Sequence, residues 1–320
     1  MPSPWDWLRY LETEPAARKF LIKSYDAMKI EHPERLSFQQ SSRFSYTWRQ
    51  ARAFYDAADQ CDLLVRPTLL FYGCTHLLKG YLITRDPYYP RTSRMLQHGV
   101  TTRKMKKSPY QLLADEIRPQ KEGLFSHLAK IIGDFPLQNR YSVSQLFSYV
   151  PELREECKLV LGYTSWQSVI RQNQSLLAFP SVPQGTLGFS LETFLDFLNR
   201  LAPAGIRFFP AEGSSAADAK LVGVSAAKGC LLDQHPLFAE AESELCFWSG
   251  EEPFPLPKWA VHYMLLYMLS MLSRYETESW GELILSHTLS EVYLVDRFLD
   301  IHQRVFPGYI HRMLDCAWSG

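Results

Sequence analysis

The 320-residue sequence contains none of the common signatures of catalysis or nucleotide binding. It has no GxGxxG after a strand, no GxxxxGK followed by Ser or Thr, no HExxH and no GxSxG nucleophile elbow. Glycine-rich phosphate loops and zinc-hydrolase helices are therefore not expected. The six cysteines, at 61, 74, 157, 230, 246 and 316, form no CxxC pair and no Cys/His group with zinc spacing. Cys61 and Cys74, closest in sequence, lie in apolar helical stretches and read as buried reduced thiols. No metal or cofactor is expected. Excess charge of one sign is also missing, with 34 basic residues against 34 acidic ones. A bulk polyanion binder is thereby excluded, and any attraction for nucleic acid must come from a local patch. Nor is there a long apolar run. The most apolar stretch, Trp259 to Leu272, is interrupted by His262 and Ser270 and falls short of the roughly 20 residues a spanning helix needs. The first residues, MPSPWDWLRY, lack the basic and apolar regions of a signal peptide. No membrane association and a cytoplasmic location are expected.

Hydrophobic residues make up 46% of the chain and aromatic rings 14%, enough for a heavily packed interior. Apolar periodicity predicts a first helix over 5–29 and a second over 45–64. Arg66-Pro67 restarts the chain, since proline fits the first helical turn. TLLFYGCTHLLKGYLI then gives a third helix, apolar nearly all round and therefore central. Shorter helices are expected at 109–116, 123–133 and 143–161, the last broken at Pro151. Pro and Gly recur from 162 to 256, where SLLAF, GIRFF and KLVGV read as strands around a helix over Leu191 to Leu201. Helical periodicity returns with 257–275, 279–287, 290–305 and 307–317. The fold class is thus mainly α: a helical bundle core formed by N- and C-terminal helices, with an inserted small α+β segment. Three parts are expected: 1–161 with a basic loop at 91–107, the insertion 162–256, and C-terminal helices 257–320 packing on the first part. Helices 66–84 and 257–275, the most apolar, are expected to pack on one another.

The segment 91–107 carries Arg91, Arg94, Arg103, Lys104, Lys106 and Lys107 with no acid. Within it, HGVTTRKMKK combines an imidazole, two hydroxyls and four cations. Cations supply charge for phosphate, hydroxyl and glycine N–H groups supply donors, and His98 can shuttle a proton. The candidate anion site is His98, Thr101, Arg103 and Lys104, joined by Arg66, Lys79 and Arg274. The competing reading is a solvated loop paired with Glu116, Glu122 or the acidic insertion. His76, one turn before Lys79, shares its helix face. Arg297 and His302 form an R-x4-H pair in DRFLDIH, a spacing compatible with metal-independent ribonucleases of the HEPN class. There the arginine would steady a pentacoordinate phosphorus while histidine handles the 2′-OH proton, with His98 as an alternative base. Five residues place the two side chains about 140° apart on an ideal helix, off a common face.

RPTLLFYGCTHLLKGYL (66–82), DPYYP (86–90), HGVTTRKMKK (98–107), DEIRPQKEGLFSHL (115–128) and LSMLSRYETESWGEL (269–283) resemble the YaaC-like family of bacterial proteins. The motifs are specific for the family and not for an activity. The resemblance implies a bacterial cytoplasmic protein of Gram-positive lineage. It extends to HEPN-like helical families linked to defence or RNA processing, although Arg297 and His302 lie outside the resembling stretches. Two functions are therefore expected: binding of a nucleotide or RNA in a regulatory or defence-related role, or metal-independent ribonuclease activity. The aromatic content permits a homodimer.

Overall fold

The computed structural model describes residues 3–103, 110–133, 135–173, 175–211, 219–227, 230–286 and 289–319. It is mainly α-helical, with eleven α-helices, a three-stranded sheet and a six-stranded sheet among those residues. The chain divides into two compact units, residues 1–146 with 259–320, and residues 147–258.

In the first unit, α1 (Pro4–Tyr10) begins at a capping box. The Ser3 hydroxyl accepts from the Trp5 N–H, and the Asp6 carboxylate accepts from the Ser3 N–H. The single helix expected over 5–29 is in fact two. Pro15 sits in the first turn of α2 (Glu14–Ala27), where it has no N–H to continue a helix from α1. α3 (Pro33–Asp59) starts twelve residues before the expected 45. Its N-terminal half buries Ser37, Ser41 and Ser45 beside Leu36 and Phe44, and each serine hydroxyl bonds a carbonyl about one turn back.

α4 (Arg66–Arg85) opens with Pro67 and is buried nearly all round. Its most extensive neighbour is α3. Gly80 makes that approach possible, because a Cβ there would stand 2.5 Å from the Trp48 ring. The apolar helix α9 (Lys258–Tyr275) also meets α4, with Phe71 against the rings of Tyr263 and Tyr267 at 5.5 and 5.6 Å. So the two most apolar helices do touch, while α4 packs chiefly on α3. α10 (Thr277–Leu285) follows, and α11 (Glu291–Ser319) runs unbroken through Pro307 where two helices were expected. An internal proline costs about 3 kcal/mol. Phe306 and Ile310 flank it fully buried, so packing on both sides outweighs that cost.

A small antiparallel sheet joins β1 (Val100–Arg103), β2 (Glu116–Pro119) and β3 (Tyr141–Ser142). The helix expected at 109–116 is instead a 3-10 turn at Leu112–Ala114 leading into β2. The Leu112 N–H donates to the Glu291 carboxylate at 3.0 Å, and strand pairing takes the residues that follow. α5 (Leu124–Ile132) completes this region.

α6 (Val143–Ser148) spans the division between the units and α7 (Arg154–Leu161) follows a 3-10 turn opened by Pro151. The second unit holds the six-stranded antiparallel sheet, in the order β6-β7-β5-β4-β9-β8. Its strands are β4 (Trp166–Asn173), β5 (Leu176–Pro180), β6 (Ile206–Pro210), β7 (Ala219–Ala226), β8 (Phe238–Ala241) and β9 (Glu244–Trp248). The helix α8 (Leu191–Leu201) packs on β6. Phe179, Phe194, Phe238 and Phe247 meet edge to face at 5.1 to 6.0 Å and form the core.

Candidate anion-binding site

Outside its packed faces, α4 presents one half-buried stripe. Tyr72, His76 and Lys79 are each partly exposed between fully buried neighbours, as steps of four and three residues require on a helix. The stripe lies between Phe54 of α3 and Arg274 of α9, a candidate groove. Phe54 of α3 stacks on both Tyr72 and His76, at 5.6 and 5.7 Å between ring centroids. On the α9 side, Arg274 donates to the Tyr72 hydroxyl at 3.1 Å and to the Ser270 carbonyl at 3.1 Å. Its guanidinium also lies over the Tyr72 and Tyr275 rings.

His98 reaches the same place from the loop before β1. Its ring packs edge-on against Phe71 at 5.0 Å and beside Tyr267 at 5.5 Å. Its carbonyl accepts from the Tyr263 hydroxyl at 2.9 Å and the Phe125 N–H at 3.1 Å. Gly99, at φ 78°, lies against Gly123; a Cβ on Gly123 would stand 2.5 Å from the Gly99 Cα. That close approach fixes the loop and with it the imidazole.

The electrostatics of these groups are consistent with one another. Burial and then the charges of Arg274 and Lys79 hold His98 below its ordinary value. Burial, then Lys79, pushes His76 down to about 4, and its Nδ1 has no hydrogen-bond partner. Lys79 is itself depressed, by burial first and then by Arg43 of α3. Among the described residues no carboxylate pairs with Lys79, Arg43 or Arg274. Asp86 lies in the same region, since both it and Arg43 act on Tyr25. Its carboxylate, however, is bound to Arg91 at 3.1 Å and to His127 at 3.0 Å.

The remaining expected residues lie elsewhere. Arg66 is committed to Asp300 at 2.8 Å and to the Gln303 amide oxygen at 2.8 Å. Arg103 pairs across the strands with Glu116, whose carboxyl is held low chiefly by its hydrogen bond to Arg118, and further by Arg140 and Arg103. Thr101 is exposed on β1 opposite Arg118. Lys104, Lys106 and Lys107 lie outside the described residues. Arg91 and Arg94 bind Asp86 and Glu122. Arg91 and Arg94 are therefore paired with the protein's own acids and Arg103 stands opposite one. Among the described residues, the half-buried cations without a carboxylate partner include Arg43 of α3, which donates to the Tyr89 carbonyl, Lys79 of α4 and Arg274 of α9. Arg43, Tyr72 and Phe54 are not identifiable from spacing, because only the crossing of α3 and α4 brings them to the groove.

Arg297 and His302 do not share an open surface. His302 is fully buried, with Nε2 2.6 Å from the Tyr55 hydroxyl and Nδ1 2.9 Å from His262 Nδ1. Burial, then Arg66, depresses it to about 3. The Arg297 side chain is 34% exposed and 3.9 Å from Asp300. A cavity of about 350 Å³ above Tyr55 is lined by Trp5, Asp56, Asp59, Gln60 and Gln303, a surface suited to no anion. No group of His, Cys, Asp and Glu suited to a metal ion occurs among the described residues, and no helix there is long and apolar enough to cross a membrane.

Fold and site together define a mainly α-helical protein in which, among the described residues, the half-buried Lys79, Arg43 and Arg274 have no carboxylate partner. The family model described as YaaC-like Protein matches residues 9–314, and the chain belongs to that family. No curated protein and no solved structure matches it.

Proposed function

We propose that the protein binds a phosphate-bearing ligand, a nucleotide or RNA, in the groove formed by Lys79, His98, Arg274, His76 and Arg43, and that its role is regulatory. The scaffold for this reading is a helical bundle core built from both ends of the chain, with the α+β segment inserted. Arg66–Asp300 and Tyr55–His302 support that arrangement, each linking an N-terminal helix to α11.

One observation carries the reading: Lys79 is half-buried beside other cations and, among the described residues, has no carboxylate partner, with burial and then Arg43 holding it below its ordinary value. Like charges half-buried together repel more strongly than in open water, because the effective dielectric between them is lower. A structural lysine would be expected to have a carboxylate or open water. An anion in the groove would offset this repulsion and accept hydrogen bonds from Lys79 and Arg274.

Titration of nucleotides and short RNAs at about 50 and about 200 mM salt tests the proposal. Binding must weaken as salt rises, and Lys79→Gln and Arg274→Gln must each weaken it about tenfold or more. Flat titrations at low salt, or variants that bind like the wild type, refute it.

A further inference from the structure

The cations of the groove form a row. Tyr72 and Lys79 are seven residues apart on one face of α4, about 10 Å along its axis at roughly 1.5 Å per residue. Arg274 is held at the Tyr72 end by its hydrogen bonds to Tyr72 and Ser270 and by its packing over two rings. Phe54 of α3 lies beside Tyr72 and His76. Arg43, three helical turns earlier on α3, is held at the other end by a hydrogen bond to the Tyr89 carbonyl just beyond α4, and its charge acts on Lys79. His98 stands between, within reach of the charges of both Arg274 and Lys79.

Hydrogen bonds from cations to phosphate oxygens span about 2.7–2.9 Å. A single phosphate between two such donors therefore bridges only a short gap. With Arg274 tied down at the Tyr72 end and Lys79 two turns further along α4, a chain of phosphoryl groups spans more of the row than one phosphate does.

We propose that the groove takes a ligand with two or more linked phosphoryl groups, one at Arg274 and another at Lys79 and Arg43, rather than a single phosphate. This rests on the anion-binding reading above. The groove places aromatic rings, Phe54 and Tyr72, along the same stretch, so a base or ribose can accompany the phosphates. The phosphate chain itself supplies most of the recognition.

The test compares inorganic orthophosphate, inorganic triphosphate, AMP, ATP and a short single-stranded RNA by calorimetric titration against the full chain. Triphosphate is expected to bind at least tenfold more tightly than orthophosphate, and ATP at least tenfold more tightly than AMP. Arg274→Gln and Arg43→Gln, at opposite ends of the row, are each expected to erase most of that preference. Lys79→Arg should retain it, and thermal unfolding of every variant checks that it is folded. Strong ATP with weak RNA binding assigns the phosphate chain to a nucleotide; the converse assigns it to a polynucleotide backbone. Equal affinity for orthophosphate and triphosphate overturns the inference while leaving the anion-binding reading intact. No binding of any anion overturns both.

Discussion

The two kinds of histidine in the first unit differ in what their burial serves. His98 and His76 border the groove and feel its cations. His302 is enclosed with His262, Tyr55, Phe298 and Phe306, and its neutral form is what the core accommodates. With His302 Nδ1–H donating to His262, Nε2 accepts the Tyr55 proton, and both nitrogens are satisfied. The consequence for stability has a definite sign. His302 falls to about 3 in the folded protein from an ordinary 6.5, so below 6.5 the unfolded chain takes up a proton that the folded one refuses. Stability contributed by neutral His302 is present above pH 6.5 and is lost as pH falls from there toward 3, by up to about 1.4 kcal/mol per pH unit. Urea unfolding between pH 7 and 5 should show this loss, and His302→Gln should flatten it by about one proton. A wild-type slope of zero from pH 6.5 to 5 would rule out the buried neutral imidazole.

Among the elements, α4 organises the groove because α3 and α9 flank its exposed stripe. The α3 contact depends on Gly80, where any Cβ meets the Trp48 ring. Gly80→Ala should therefore destabilise the protein by about 1–3 kcal/mol, the usual range for overpacking, despite alanine's better helix propensity. It should also weaken anion binding by moving Arg43 and Phe54. A variant as stable as the wild type in urea would show that the crossing is loose. α4, α5, α8 and α9 are legible in the sequence because their signals are local: an apolar run, a proline at the start, a 3.6-residue period. The first half of α3 is not, since serines hold three of its five buried positions and carry no hydrophobic signal. β2 is hidden for a different reason. Its four residues are too few to show a strand period, and the partners that make it a strand, β1 and β3, lie outside that stretch of sequence. Pro307 misleads because tertiary packing overrides a local breaker. The same division governs the candidate site. Lys79, His98 and Arg274 stand out as cations at or near helix ends and loops, whereas Arg43 belongs to the groove only through the α3–α4 crossing. The basic segment draws attention by composition, yet its described arginines face acids that the competing reading named, Glu122 and Glu116, or one that lies five residues away, Asp86.

Taken as a whole, the chain balances 34 basic against 34 acidic residues, so uncompensated charge can exist only locally. The groove on α4 is such a place, and a bound polyphosphate would complete it. The most direct measurement is the imidazole titration of His98, followed by NMR with and without inorganic triphosphate and assigned through His98→Gln. In the free protein its midpoint should lie below 6.5, depressed by burial and by Arg274 and Lys79. With triphosphate bound, those charges are answered and the midpoint should rise. A His98 midpoint that stays in place at saturating triphosphate would contradict the claim that these cations are there to hold an anion.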